Sequence, residues 1–240
     1  MIDWLRRKPE DLAVDLGTTK LPLAIRRHPR ARRLTMRLAP DGSEIHITMP
    51  QWGRTADALA FAESRREWLA GQLAKLPARQ CPLERGNLHY RGETLRIAWQ
   101  EAAPRRPLVD GGALTVGGPR TGLSARLRRW LENEAQALME EDLAFYCERA
   151  GREPPPLRLS RAQRRWGSCS SSGAIRVNWR LVQAPDFVRR SVVAHEVAHL
   201  VHFDHSHAFH ALLEQLFEGD LPAADCWLKE HGRNLYAAFG

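Results

Sequence analysis

Two hydrophobic periods succeed one another along this chain. Between Lys20 and Met49, apolar residues recur at every second position: Leu21, Leu23 and Ile25, then Leu34, Met36 and Leu38, then Ile45, Ile47 and Met49. That period puts them on one face of extended strands, and Asp41-Gly42 supplies a turn before the last run. A small antiparallel sheet is predicted. From Thr55 to Leu76 the spacing becomes helical, with Thr55 as N-cap, Leu59, Phe61, Trp68, Leu69 and Leu73 on the buried face, and Pro77 as the stop. Strand spacing returns over Leu88–Tyr90, over Thr94–Trp99 after an Arg91-Gly92 turn, and over Ala113–Val116 after Asp110-Gly111-Gly112.

Glycine and proline cluster from Gly117 to Gly122, which marks the expected boundary between a β-rich region with one helix, residues 1–119, and a second region, residues 120–240. Beyond it a long amphipathic helix is predicted from Leu123 to Ala150, carrying Leu127, Trp130, Leu131, Ala135, Leu138, Leu143 and Tyr146 and ending before Pro154-Pro155-Pro156. Leu157 and Leu159 start a short strand, and Ile175, Val177, Trp179 and Leu181 form another. Helical spacing resumes after Pro185, and a last helix covers about Ala223 to His231. The sequence shows no internal repeat and no low-complexity tract. The fold class expected is α+β.

Composition adds constraints. No apolar run approaches the roughly 20 residues that cross a bilayer, and the N-terminal MIDWLRRKPEDL lacks a secretory core, so a cytoplasmic protein without a membrane partner is expected. Cys81, Cys147, Cys169 and Cys226 form no C-x-x-C, which excludes a cysteine zinc knuckle and suits a reducing compartment. Lysine and arginine number 36 against 28 acids, a net charge of +8, so anionic partners are attracted at long range. From Lys20 to Arg37 there are seven basic residues and no acid. Arg26, Arg27, Arg30, Arg32, Arg33 and Arg37 could form a phosphate-binding face, but a solvated sheet face is the default reading of such a run.

The chemistry concentrates in Val192–Glu214, VVAHEVAHLVHFDHSHAFHALLE. On a helix, His195 and His199 of the H-E-x-x-H lie one turn apart on one face, able to address one ion, and Glu196 is placed to reach a water there without being a ligand. A catalytic zinc usually takes three protein ligands. His202, His205, His207, His210, Glu214 and His231 are the candidates for the third. On a straight helix His202 would sit about 10 Å along the axis from His195, at ~1.5 Å per residue, too far for bonds of ~2 Å. A turn after His202 over Phe203-Asp204-His205-Ser206 brings His205 back instead, and a second helix begins near Ser206 or His207 and buries Phe209, Leu212, Leu213 and Leu216. The spacing H-E-x-x-H-x-x-x-x-x-H is that of metzincins, which carry glycine where this chain has His202 and a later methionine turn. No methionine follows Met139 here, so the chain departs from the standard metzincin pattern.

A second block, Arg164-Arg165-Trp166-Gly167-Ser168-Cys169-Ser170, precedes the histidines and is followed by Asn178-Trp179-Arg180. With H-E-V-A-H, with Asp204-His205-Ser206, with the basic strand Arg30–Leu38 and with Trp227 to Gly232, it closely resembles the YgjP-like metallopeptidases, related to the SprT-like and WLM zincins. The resemblance implies a zincin-like minimal metallopeptidase domain over 120–240, with zinc held by His195, His199 and His205 and Glu196 as general base. The family pattern carries Asn at Asp204 and Trp at His210. Arg165, Trp166, Gly167 and Ser168 are candidate substrate-binding residues, their backbone suited to an extended chain. A nucleophilic Cys169 is not needed where activated water suffices.

The function expected is therefore zinc-dependent hydrolysis of peptide or protein substrates. Two alternatives use the same features: nucleoside triphosphate hydrolysis to the monophosphate (UTP to UMP, for example), suited by Arg164 and Arg165, and a SprT-like protease acting on proteins attached to nucleic acid, permitted by the net charge but unsupported by any nucleic-acid-binding motif.

Overall fold

In the computed structural model, which describes residues 12–17, 19–75 and 81–239, the chain divides into two compact units, 1–78 and 79–239. The boundary expected at 117–122 lies inside the second unit. The N-terminal segment 1–11 and Leu76-Pro77 fall outside the described residues.

The first unit contains strands β1 (Ala13–Asp15), β2 (Lys20–Arg27), β3 (Thr35–Leu38) and β4 (Ile45–Met49) in the order β1-β2-β4-β3. Ile45, Ile47 and Met49 are fully buried. The sheet is mixed, not antiparallel as expected: β2 runs parallel to β4, with Leu23 opposite Ile45, while β3 and β4 form the hairpin turning at Asp41-Gly42. Alternation reports which face is buried, not which strand is the neighbour or in which sense it runs. Helices α1 (Thr55–Glu63) and α2 (Arg66–Ala74) replace the single expected helix. Leu69 keeps the phase of buried Ala58 and Ala62 and is itself buried, while Trp68, expected inside, lies about 100° round the helix and is 44% exposed.

The second unit begins with α3 (Pro82–Arg85), β5 (Asn87–Tyr90), β6 (Glu93–Trp99), β7 (Leu108–Asp110) and β8 (Ala113–Val116). The order is β5-β6-β8-β7, with an antiparallel pair at each edge and parallel strands in the middle. This is the wiring of the first sheet, repeated where the sequence shows no repeat. Helix α4 (Leu123–Arg149) follows, and Leu127, Leu131, Ala135, Met139, Leu143 and Tyr146 make one buried stripe along it. Strands β9 (Leu157–Ser160), β10 (Gly167–Cys169) and β11 (Ile175–Asn178) form a third sheet with β10 at an edge. Then come a 3-10 turn (Trp179–Gln183), α5 (Asp186–Ala198), α6 (His207–Leu216), α7 (Leu221–His231) and a closing 3-10 turn (Gly232–Tyr236). The α+β class is as the patterning predicts. Among the described residues no helix is long and apolar enough to cross a membrane.

Charges fix the first half of α5. Arg189, 3% exposed, donates to buried Asp142 of α4 at 2.7 Å and also bonds Asp186. Asp186 in turn accepts from Arg91 at 2.5 Å. On the next face Arg190 reaches Tyr146, which donates to Glu218 at 2.9 Å. Each buried charge meets an opposite one, the condition under which its desolvation cost is tolerated.

Candidate metal centre and its cleft

His195 stands on α5, in the half of the helix beyond that network. The helix ends at Ala198, with His199 as its C-cap, four residues sooner than the turn expected after His202. The last turn tightens as Leu200 and Val201 bond back to the carbonyls three residues before them. The chain then doubles back. Asp204 accepts from the Ser206 N–H at 3.2 Å, and Ser206 accepts from the Phe209 N–H to cap α6.

This reversal brings His195, His199 and His205 together, with one ring nitrogen from each within 4.8 Å of the others. Nε2 of His205 lies 3.4 Å from Nε2 of His195. Beneath them sits Phe209, fully buried, its ring stacked on His199 at 4.5 Å and edge-on to the other two at 5.0 and 4.9 Å. Nδ1 of His199 faces the His202 carbonyl at 3.1 Å, so the proton belongs on Nδ1 and the lone pair on the opposite nitrogen is free. Burial, and then the charges of His199, His205 and His210, pull His195 down to about 4. It is neutral near pH 7, the form that donates to a metal. Three converging imidazoles are a donor set that fits a first-row divalent ion such as zinc.

Glu196, 5% exposed, points from the same helix toward β10. Burial raises its carboxyl to about 7, against the opposing charge of Arg165 and a hydrogen bond from the Cys169 backbone. Gly167 lies directly against it: a Cβ there would meet Oε1 at 2.2 Å and Cγ at 2.7 Å. The ladder of β10 explains the rest. Ser168 pairs with Arg176, and the Trp166 carbonyl and Ser170 N–H bond the neighbouring strand. Gly167 and Cys169 therefore direct their peptide groups to the open edge, where Glu196 takes the Cys169 N–H.

Of the four substrate-binding candidates, Trp166 and Gly167 line a cleft with His195 and Glu196, and Arg165 acts on Glu196 through its charge. Ser168 does not line it; alternation turns its side chain to the other face of β10. His202 contributes its carbonyl, His210 lines the cleft, and His207 opens α6. Cys169 is held above the usual thiol value by burial and by Glu196, the opposite of an activated nucleophile. Sequence reasoning missed Asp142, Arg189 and the role of Phe209 under the imidazoles. Buried charges look like surface ones in a sequence, and only helical spacing singles out Phe209.

Comparison with known families decides the affiliation. The model of the YgjP-like, metallopeptidase domain matches residues 32–231. The chain belongs to the YgjP-like family. No curated protein and no solved structure matches it. Membership brings a metallopeptidase domain, hence a metal-dependent hydrolase of peptides, and the histidine cluster is a group able to hold the ion. The match begins within the first unit, so it takes in β3 and β4 as well as the histidine site, while β1 and β2 precede it.

Proposed function

We propose that this YgjP-like protein is a zinc-dependent peptidase in which His195, His199 and His205 hold the metal and Glu196 is the general base. The reading rests on one observation above all: three imidazole ring nitrogens within 4.8 Å of one another, with a buried carboxyl on the residue next to the first histidine. Zinc bound there would polarise the scissile carbonyl and make water acidic near neutral pH.

Glu196 does the proton work. Its carboxyl, raised to about 7, accepts a proton from the attacking water and passes it to the leaving amine, so that one water and one peptide bond become a carboxyl and an amine. The Cys169 N–H and the absent side chain at Gly167 keep that carboxylate in one orientation. The open edge of β10 is suited to an extended peptide, which would add to it as a strand. Arg165 and Trp166 would flank that chain, and Ser168 would serve through its ladder with Arg176. Four cysteines without disulfides suit the reducing interior of a cell.

The test is Glu196→Gln. Zinc content is expected to stay near that of the wild type while hydrolysis of denatured protein or casein-like peptides disappears. Activity retained by this variant, or phosphate release from nucleotides with no peptide cleavage, would overturn the proposal.

A further inference from the structure

Beside His195 and Glu196 the second unit contains a cleft of about 580 Å³ between α5, α6 and α7, within the size range of sites that hold small ligands. Val192, Leu213, Leu221 and Leu228 give it apolar walls. Its charged groups are Glu196, Glu214 and Asp225, and no lysine or arginine lines it. In a chain of net charge +8, this is a local inversion of sign. Glu214 makes no ion pair among the described residues, and Asp225 meets only Lys229, one turn along α7 at 2.5 Å, a residue outside the lining.

We infer that the cleft receives an arginine or lysine side chain of the substrate, next to the bond that is cut. The inference rests on the peptidase reading above. A peptide laid along the edge of β10 alternates its side chains, and one of them turns toward the space between Gly167, Glu196 and Val192. The aliphatic stem of arginine or lysine covers Val192, Leu213 and Leu221, as long cationic side chains do on apolar surface. Its charged end lies between Glu214 and Asp225. An aliphatic residue would fill the walls but strip water from two carboxylates with nothing in return, and an acidic one would be repelled. The cleft thus selects by charge at its rim and by shape along its walls.

Two measurements test this together. A mixture of unstructured peptides is digested with the zinc-loaded protein and the cut sites are read by mass spectrometry. Separately, binding of arginine amide is followed by calorimetry on the Glu196→Gln form. Arginine and lysine are expected to be enriched at one position flanking the cut, and Glu214→Lys with Asp225→Asn to lower the ratio of kcat/KM for basic over aliphatic peptides about tenfold or more, the equivalent of ~1.4 kcal/mol. Arginine amide is expected to bind the Glu196→Gln form and to lose binding when the two acids are replaced. Cleavage without basic preference, or a preference that survives the replacements, overturns the inference while leaving the peptidase reading intact. Binding that depends on Glu214 and Asp225 in a protein that cuts no peptide upholds the cationic cleft and overturns the peptidase reading. Absence of both overturns both.

Discussion

Gly167 and Glu196 touch, and the contact leaves no room for a methyl group: a Cβ on Gly167 would stand 2.2 Å from the Glu196 carboxylate oxygen. A strand edge and a helix thereby share one job, holding a buried acid against the open side of the sheet.

Gly167→Ala is accordingly expected to displace Glu196 without disturbing the histidines. Peptide hydrolysis should fall about 100-fold, the cost of a misplacement near 1 Å at a reacting group. Zinc stoichiometry should remain that of the wild type. Loss of metal in this variant would mean that the strand supports the histidines as well.

The histidine cluster and the nearby His202 make opposite predictions. His205→Ala removes a converging ring nitrogen and is expected to weaken zinc binding by well over the roughly 10- to 100-fold typical of an outer-shell partner. His202→Ala keeps the backbone carbonyl that faces His199 and should bind zinc as the wild type does. Competition with a chromophoric chelator measures both. Equal loss in the two variants would contradict the assigned ligand set.

The pair Arg189 and Asp142 predicts a stability effect remote from catalysis. Both side chains are at most 4% exposed and 2.7 Å apart. Asp142→Ala leaves the buried guanidinium with Asp186 as its remaining acid, so the cost is expected below the ~3–5 kcal/mol of a fully unpaired buried charge. Urea unfolding checks this. Because α5 carries His195 six residues further on, a loss of zinc affinity is expected alongside.

Acid should loosen the same region. At Asp186, burial favours the neutral form, but Arg91 and Arg189 outweigh it and hold the carboxyl below its ordinary 3.8. A depressed folded-state value stabilises the fold above the unfolded value and is lost as the pH falls through the folded one. The stability difference between wild type and Asp186→Asn, followed by denaturant unfolding, should therefore shrink below about pH 3.8. A difference that grows with acid would reverse the sign of the argument.

The sequence made local features legible. His195 and His199 follow from a four-residue spacing, and the turn at Asp204-His205-Ser206 follows from its side-chain chemistry. Helix α4 is legible because its apolar stripe is long and regular. What remained hidden depends on partners distant in the chain. The direction of β2 against β4 is carried by neither strand alone, and Trp68 faces water although its neighbour Leu69, about 100° round α2, is buried. The early end of α5 at Ala198 reflects a tightened last turn that apolar spacing does not signal. Gly167 read as backbone for an extended substrate, yet its requirement comes from an acid 29 positions later.

The strand order β1-β2-β4-β3 and its recurrence as β5-β6-β8-β7 bear on how this chain tolerates change. In this wiring the two inner strands are joined in parallel, and each outer strand is paired only with its sequence neighbour. The link from the first hairpin to the second, residues 28–34 in one sheet and 100–107 in the other, can lengthen without shifting any register, since added loop costs little free energy. One plan written twice in dissimilar residues thus leaves two places where descendants of this chain can acquire new surface while the histidine site keeps its frame.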